Sequence, residues 1–256
     1  MLSAYLIQLA DNALILGHRN SEWTGHGPVL EQDIALSNIA LDLIGQSRNL
    51  YQLAASRMNT LSPEKEPVTE DDLAYLREAP DFKNVVLLEQ PNGDWAKTIL
   101  RQFYFSRFQL LQFRDLLNSK DADLAAIAEK SIKEIRYHVK WSSEWVCRLG
   151  DGTTESHTRM LNALEELNPL VAELFTTTDY ELAAATGGWG TDPASLQPDW
   201  LQAVNATLQT ATLPLYRDEK KPALLLSGKN GFHSEHLGFI LAEMQFLQRA
   251  YPGCDW

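Results

Sequence analysis

An all-α fold is predicted by three observations. Apolar residues recur at three- and four-residue steps over most of the chain, strand-like alternation is almost absent, and proline- and glycine-rich stretches fall between the periodic segments. Residues 2–19 carry Leu2, Tyr5, Leu6, Leu9, Ala13 and Leu16 at helical spacing. Residues 30–57 follow Pro28, which suits a helix entrance, and are apolar around much of the circumference through Ile34, Ile39, Leu43, Ile44, Leu50 and Leu53. A helix apolar on so many sides is expected in the middle of a bundle. Residues 94–118 start at an Asp94 cap and carry Trp95, Ile99, Phe103, Phe108 and Leu111. Residues 121–149 carry Leu124, Ile127, Ile132, Ile135, Trp145 and Leu149, and stop at Gly150 and Gly152. A fifth helix is read over 155–175, a weaker sixth over 198–212 and a last over 234–250, ending before Pro252.

The rest reads as connection. Residues 58–93 hold Pro63, Pro67, Pro80 and Pro91 among many acids, with one short helix near 70–78 and a short extended piece at Val85–Leu88. Residues 176–233 form the second irregular stretch. Two long hairpins joined by a long crossover match the ferritin-like version of the four-helix bundle, with the additional helices around it. The expectation is one ferritin-like helical domain over 1–256.

Composition narrows the function classes. With 45% hydrophobic and 22% charged residues, the chain reads as an ordinary soluble globular protein. A net charge of -12 lacks the basic footprint of a nucleic-acid binder and suits a partner with a basic face. Cys147 and Cys254 make no disulfide framework, which points to a reducing compartment. The first 19 residues lack a basic start and are broken by Gln8, Asp11 and Asn12, so they read as an amphipathic helix rather than a signal or a membrane span. The expected location is the cytoplasm.

A bundle of this type can hold two irons if two helices each give a Glu and two others each give Glu-x-x-His, because positions i and i+3 share a helix face. No acidic residue in this chain has a His three positions later, and no His has an acid three positions later. Glu134 and His138 stand at i, i+4, a single pair rather than a di-metal set. His233-x-x-His236 opens a helix without a supporting ligand cluster, so capping or hydrogen bonding is the preferred role. Gly228-Lys229-Asn230-Gly231 lacks the spacing of a phosphate loop, and no G-x-S-x-G elbow is present. Arg217, Lys220, Lys221 and Lys229 cluster in an otherwise acidic chain, either as a solvated loop or as a contact for an anionic ligand or an acidic partner. Phe103, Tyr104, Phe105 and Phe108 read as core packing.

Five strings carry a family resemblance: EWTGHGP at 22–28, NIALDLIGQSRN at 38–49, LLEQPNGDWA at 87–96, IKEIRYH at 132–138 and HSEHLGFILAEMQFLQRAYPG at 233–253. The chain resembles, nearly end to end, the C subunits of bacterial phenylacetyl-CoA epoxidases. That resemblance implies a metal-free structural subunit without a cofactor of its own. It would bind a di-iron catalytic subunit that epoxidises the ring of phenylacetyl-CoA with O2, self-associate in the assembly, and meet the NADPH-dependent reductase only indirectly. It also implies degenerate ligand positions: Gln46 and Asn49 for the first Glu-x-x-His, Ile135 and His138 for the second, and Asp11 and Ser106 for the lone glutamates. Four facing carboxylates without iron would repel, so their loss is physically reasonable. Arg48 with Asp11, and Glu134 with His138, are the candidate buried pairs. The alternatives are a stand-alone metal-dependent oxidase, which the ligand search disfavours, and an acyl-CoA binding module using the basic loop at 217–229.

Overall fold

The structure, a computed structural model, describes residues 2–217 and 227–254. The all-α expectation holds: eleven α-helices form among the described residues and no strand does, the one β pairing being an isolated bridge between Ser227 and Phe232. The chain divides into two compact units, Met1–Pro91 with Leu225–Trp256, and Asn92–Leu224.

In the first unit, α1 (Leu2–Ser21) packs along α2 (Leu30–Leu61). Gly17 permits their close approach, since a Cβ there would lie 3.1 Å from Ile44 and 3.4 Å from the Ala40 carbonyl oxygen. Ile39, Leu43 and Leu50 are buried as the periodicity predicts. Ile34, however, is 52% exposed and Leu41 66% exposed, so the first half of α2 shows one face to solvent instead of being enclosed all round. The crossover is fastened to the end of α2 by Asn59, whose side chain accepts from Val68 N–H at 2.8 Å and donates to Val68 C=O at 2.9 Å. It then forms α3 (Glu70–Tyr75), opened by a Thr69–Asp72 capping box.

The piece read as extended at Val85–Leu88 is instead the helical turn α4 (Val86–Glu89). No strand lies beside it to take its backbone groups. Leu88 N–H turns back to Val85 C=O, and Val85 N–H goes to the Asn12 side chain.

In the second unit, α5 (Trp95–Leu116) starts at Asp94, whose carboxylate accepts from Lys97 N–H, and α6 (Ala122–Gly150) starts at Asp121 in the same way. Next come α7 (Thr154–Val171), with a 3-10 turn through Phe175, then α8 (Asp179–Gly187) and α9 (Pro193–Thr210). Helix α8 falls inside the stretch read as irregular, yet its start is a Thr178–Glu181 capping box. Helix α9 begins five residues before the predicted 198, because Asp192 caps it and Pro193 takes the first turn, where a missing N–H costs nothing. Phe103, Tyr104, Phe105 and Phe108 are all core, at most 1% exposed. Trp200 donates to Tyr104 C=O at 3.0 Å and locks α9 onto α5.

Gly150 is the last residue of α6, and its lack of a side chain admits the chain just beyond α9. A Cβ there would sit 2.4 Å from the Ala211 carbonyl oxygen and 2.8 Å from the Ala211 Cβ. Gly150→Ala should therefore cost about 1–3 kcal/mol in urea unfolding, the usual cost of overpacking. An unchanged midpoint would show that this junction yields freely.

The first unit is completed by the 3-10 turn at Gly228–Asn230, α10 (Glu235–Met244) and α11 (Phe246–Ala250).

Candidate functional site

Helix α1 buries an unusual number of polar side chains. Gln8, Asp11, Asn12, Arg19 and Asn20 are all at most 8% exposed. Asp11, Asn12 and Arg19 hold the crossover, whose irregular backbone has no ladder of its own. Arg19 donates from Nε (3.2 Å) and from a terminal nitrogen (2.7 Å) to the Glu89 carbonyl oxygen.

Asp11, fully buried, is the centre of the first cluster. It accepts from the Tyr51 hydroxyl of α2. The Arg77 guanidinium reaches its two oxygens at 2.5 and 3.1 Å, and Lys83 N–H donates to it at 2.7 Å. Arg77 also stacks on Phe82, 4.1 Å from the ring centroid. Burial acts to lower the Arg77 pKa, but the Asp11 charge and hydrogen bond outweigh it, so the guanidinium is held above its ordinary value. Burial first, then the Asp11 charge, pushes the Tyr51 phenol well above the usual range, which keeps it a neutral donor.

This geometry corrects the pairing of Arg48 with Asp11. The Arg48 side chain is 70% exposed and faces Glu70 at 3.6 Å, because its register on α2 points to solvent. Gln46 is buried at 1% exposure and Asn49 is half-buried. In the second unit, Ser106, Ile135 and His138 are fully buried, and Ser106 accepts from Gln102 at 2.8 Å. Glu134 is only half-buried, short of the enclosed position expected of it.

A second buried cluster surrounds Glu89, also 0% exposed. One carboxylate oxygen faces His233 Nδ1 at 2.9 Å and accepts from Asn84 at 3.1 Å; the other accepts from Ser234 N–H at 2.6 Å. His233 Nε2 faces the Phe82 carbonyl oxygen at 2.9 Å. Both ring nitrogens of His233 thus face oxygen atoms, which ties the ring between the Glu89 carboxyl group and the Phe82 carbonyl. His233 is thereby committed to holding the structure together.

The basic cluster does not stand as one surface. Lys229 is buried at 1% exposure, within the turn that Gly228 presses against the Asn84 carbonyl, which takes it away from any solvent-borne anion. Arg217 is exposed, and Lys220 and Lys221 lie outside the described residues.

As a host for two irons the donor set does not fit. Among the described residues no three of His, Cys, Asp and Glu come together as a metal-binding group. Of the positions that the resemblance implies as ligand sites only Asp11 carries a carboxylate, and its oxygens are taken by a guanidinium, a phenol and a backbone N–H.

Arg77 belongs to none of the quoted strings and Glu89 lies in one, at 87–96, without being singled out there, though each leaves a signal. Arg77 is the one basic residue in the acidic stretch 70–82, and Glu89 is an acid directly after the apolar Val85–Leu88 run.

The fold is all-α and of the ferritin-like class, and its buried Asp11 carboxylate is paired with Arg77 from within the chain. Residues 1–256 match the family model described as phenylacetic acid catabolic protein, and the chain belongs to that family. It is 44% identical over 255 residues to the C subunit of the 1,2-phenylacetyl-CoA epoxidase of Escherichia coli (strain K12), covering 100% of this chain and 99% of that one. Among the described residues no helix is long and apolar enough to cross a membrane.

Proposed function

We propose that this chain is the metal-free, non-catalytic subunit of a cytoplasmic phenylacetyl-CoA epoxidase and serves phenylacetate breakdown. Residues 1–256 act as one ferritin-like domain that binds and stabilises a di-iron catalytic subunit. That partner's iron supplies the oxygen chemistry on the ring of phenylacetyl-CoA, and the reductase delivers electrons to it. The observation that carries this reading is the ion pair of the fully buried Asp11 with the half-buried Arg77, 2.5 Å apart. A carboxylate that faces a fixed guanidinium is a poor ligand for a cation, since binding iron would require expelling a buried positive charge. The full-length similarity to the C subunit of the bacterial epoxidase supports the same assignment.

Metal analysis of the purified chain, alone and co-expressed with the catalytic subunit, tests the proposal. The expected result is iron far below one atom per chain in the isolated protein, together with co-purification of an iron-bearing partner. Iron bound stoichiometrically by the isolated chain would overturn it and make the chain an oxidase in its own right.

A further inference from the structure

Helix α10 is apolar on two sides. Leu237, Ile240, Leu241 and Met244 point inward and are buried. Gly238, Phe239 and Ala242 face outward, and the outward face continues into Phe246 of α11; Phe239 is 64% exposed and Phe246 62%. Helices apolar on both sides are normally covered on both. Between α10–α11 and the crossover runs an open groove of about 510 Å³, lined by Gly238, Leu241, Ala242 and Phe246, with Glu78 and Arg249 at its edge. Gly238 has no role inside the chain: a Cβ there would meet nothing within 4 Å among the described residues. A glycine inside a helix weakens it, and a close approach from outside is the use that remains.

The base of this surface is firm. Gln245 is buried and donates to Arg77 C=O at 3.0 Å, and Arg249 pairs with Glu78 at 2.8 Å. The two exposed rings leave on the order of 250 Å² of aromatic surface in water. A specific interface takes about 800 Å² from each partner, so this patch has the size of an interface centre, not of a whole interface.

Charge selects the occupant. Glu235 and Glu243 are exposed on α10 and Glu78 at the groove, Arg249 is consumed by Glu78, and the whole chain carries -12. A second copy would bring the same acids to the same edge. We infer that the outer face of α10–α11 docks a helix of the catalytic subunit, one with an apolar stripe bordered by lysine or arginine. This inference rests on the scaffold reading above.

The test is the affinity of the purified chain for the co-expressed catalytic subunit, with variants Phe239→Ser/Phe246→Ser, Glu235→Lys/Glu243→Lys, and Leu182→Ser on α8 as a control. The side chains changed in these variants are all solvent-exposed, so circular dichroism should match wild type. The expected result is at least about tenfold weaker binding for the phenylalanine pair, weaker binding for the charge reversal, and no change for the control. If the phenylalanine pair fails to fold, the charge-reversal pair decides alone. A wild-type complex that tolerates these changes overturns the docking face and leaves the scaffold reading standing. No wild-type complex at all overturns both, and a loss of self-association in place of partner binding overturns the choice of occupant.

Discussion

Arg77→Met should lower stability by about 3–5 kcal/mol in urea unfolding at neutral pH, the largest single effect expected here. The cause is the group left behind. Asp11 is fully buried, and without the guanidinium its charge would be faced only by the Tyr51 hydroxyl and Lys83 N–H. Removing both charges is a different experiment. Asp11→Leu with Arg77→Met should recover much of the loss, because an apolar pair of similar volume often replaces a buried ion pair at little cost. A double-mutant cycle isolates the coupling. If Arg77→Met unfolds within about 1 kcal/mol of wild type, the pair is not what fastens the crossover to α1.

Glu89→Gln should cost about 2–4 kcal/mol although the side chains are nearly the same size. The carboxylate accepts from His233, Asn84 and Ser234 N–H. An amide presents one NH2 to that ring of donors, which leaves a donor facing a donor where the carboxylate accepted from Asn84 and from Ser234 N–H. The damage should be regional as well as global, since His233 and Ser234 lead into α10 while Asn84 and Glu89 belong to the crossover. Hydrogen exchange should accordingly rise over 227–254 before the rest of the first unit. Exchange that rises uniformly, with an unchanged unfolding midpoint, would show that the Glu89 cluster does not fasten α10 to the crossover.

Much of the architecture is legible because helix signals are local. Asp94 and Asp121 stand where the apolar period starts, and both prove to be caps. The Thr178–Glu181 box is equally readable, but it lies in a stretch whose glycine and threonine content suggests irregular chain. The short turn α4 escapes a sequence reading because four apolar residues in a row suit a strand and a buried helical turn equally. The candidate site is only half legible. The missing Glu-x-x-His pairs are a property of spacing along one helix, so the sequence displays them directly. The partner of Asp11 is not such a property: Arg77 lies 66 residues away and Arg48 only 37, yet Arg48 points to solvent.

What the sequence alone determined is therefore the helical class and the absence of the ligand pattern, written in periods of three and four residues, the main helix starts, written in single capping residues, and the family resemblance, written in five strings. What the tertiary structure decided is which buried polar groups meet. Asp11 with Arg77, and Glu89 with His233, join segments far apart in the chain. Such pairs depend on where the crossover and α10 come to rest against α1, and the energy of a buried charge is fixed by whatever group stands within a few ångströms of it.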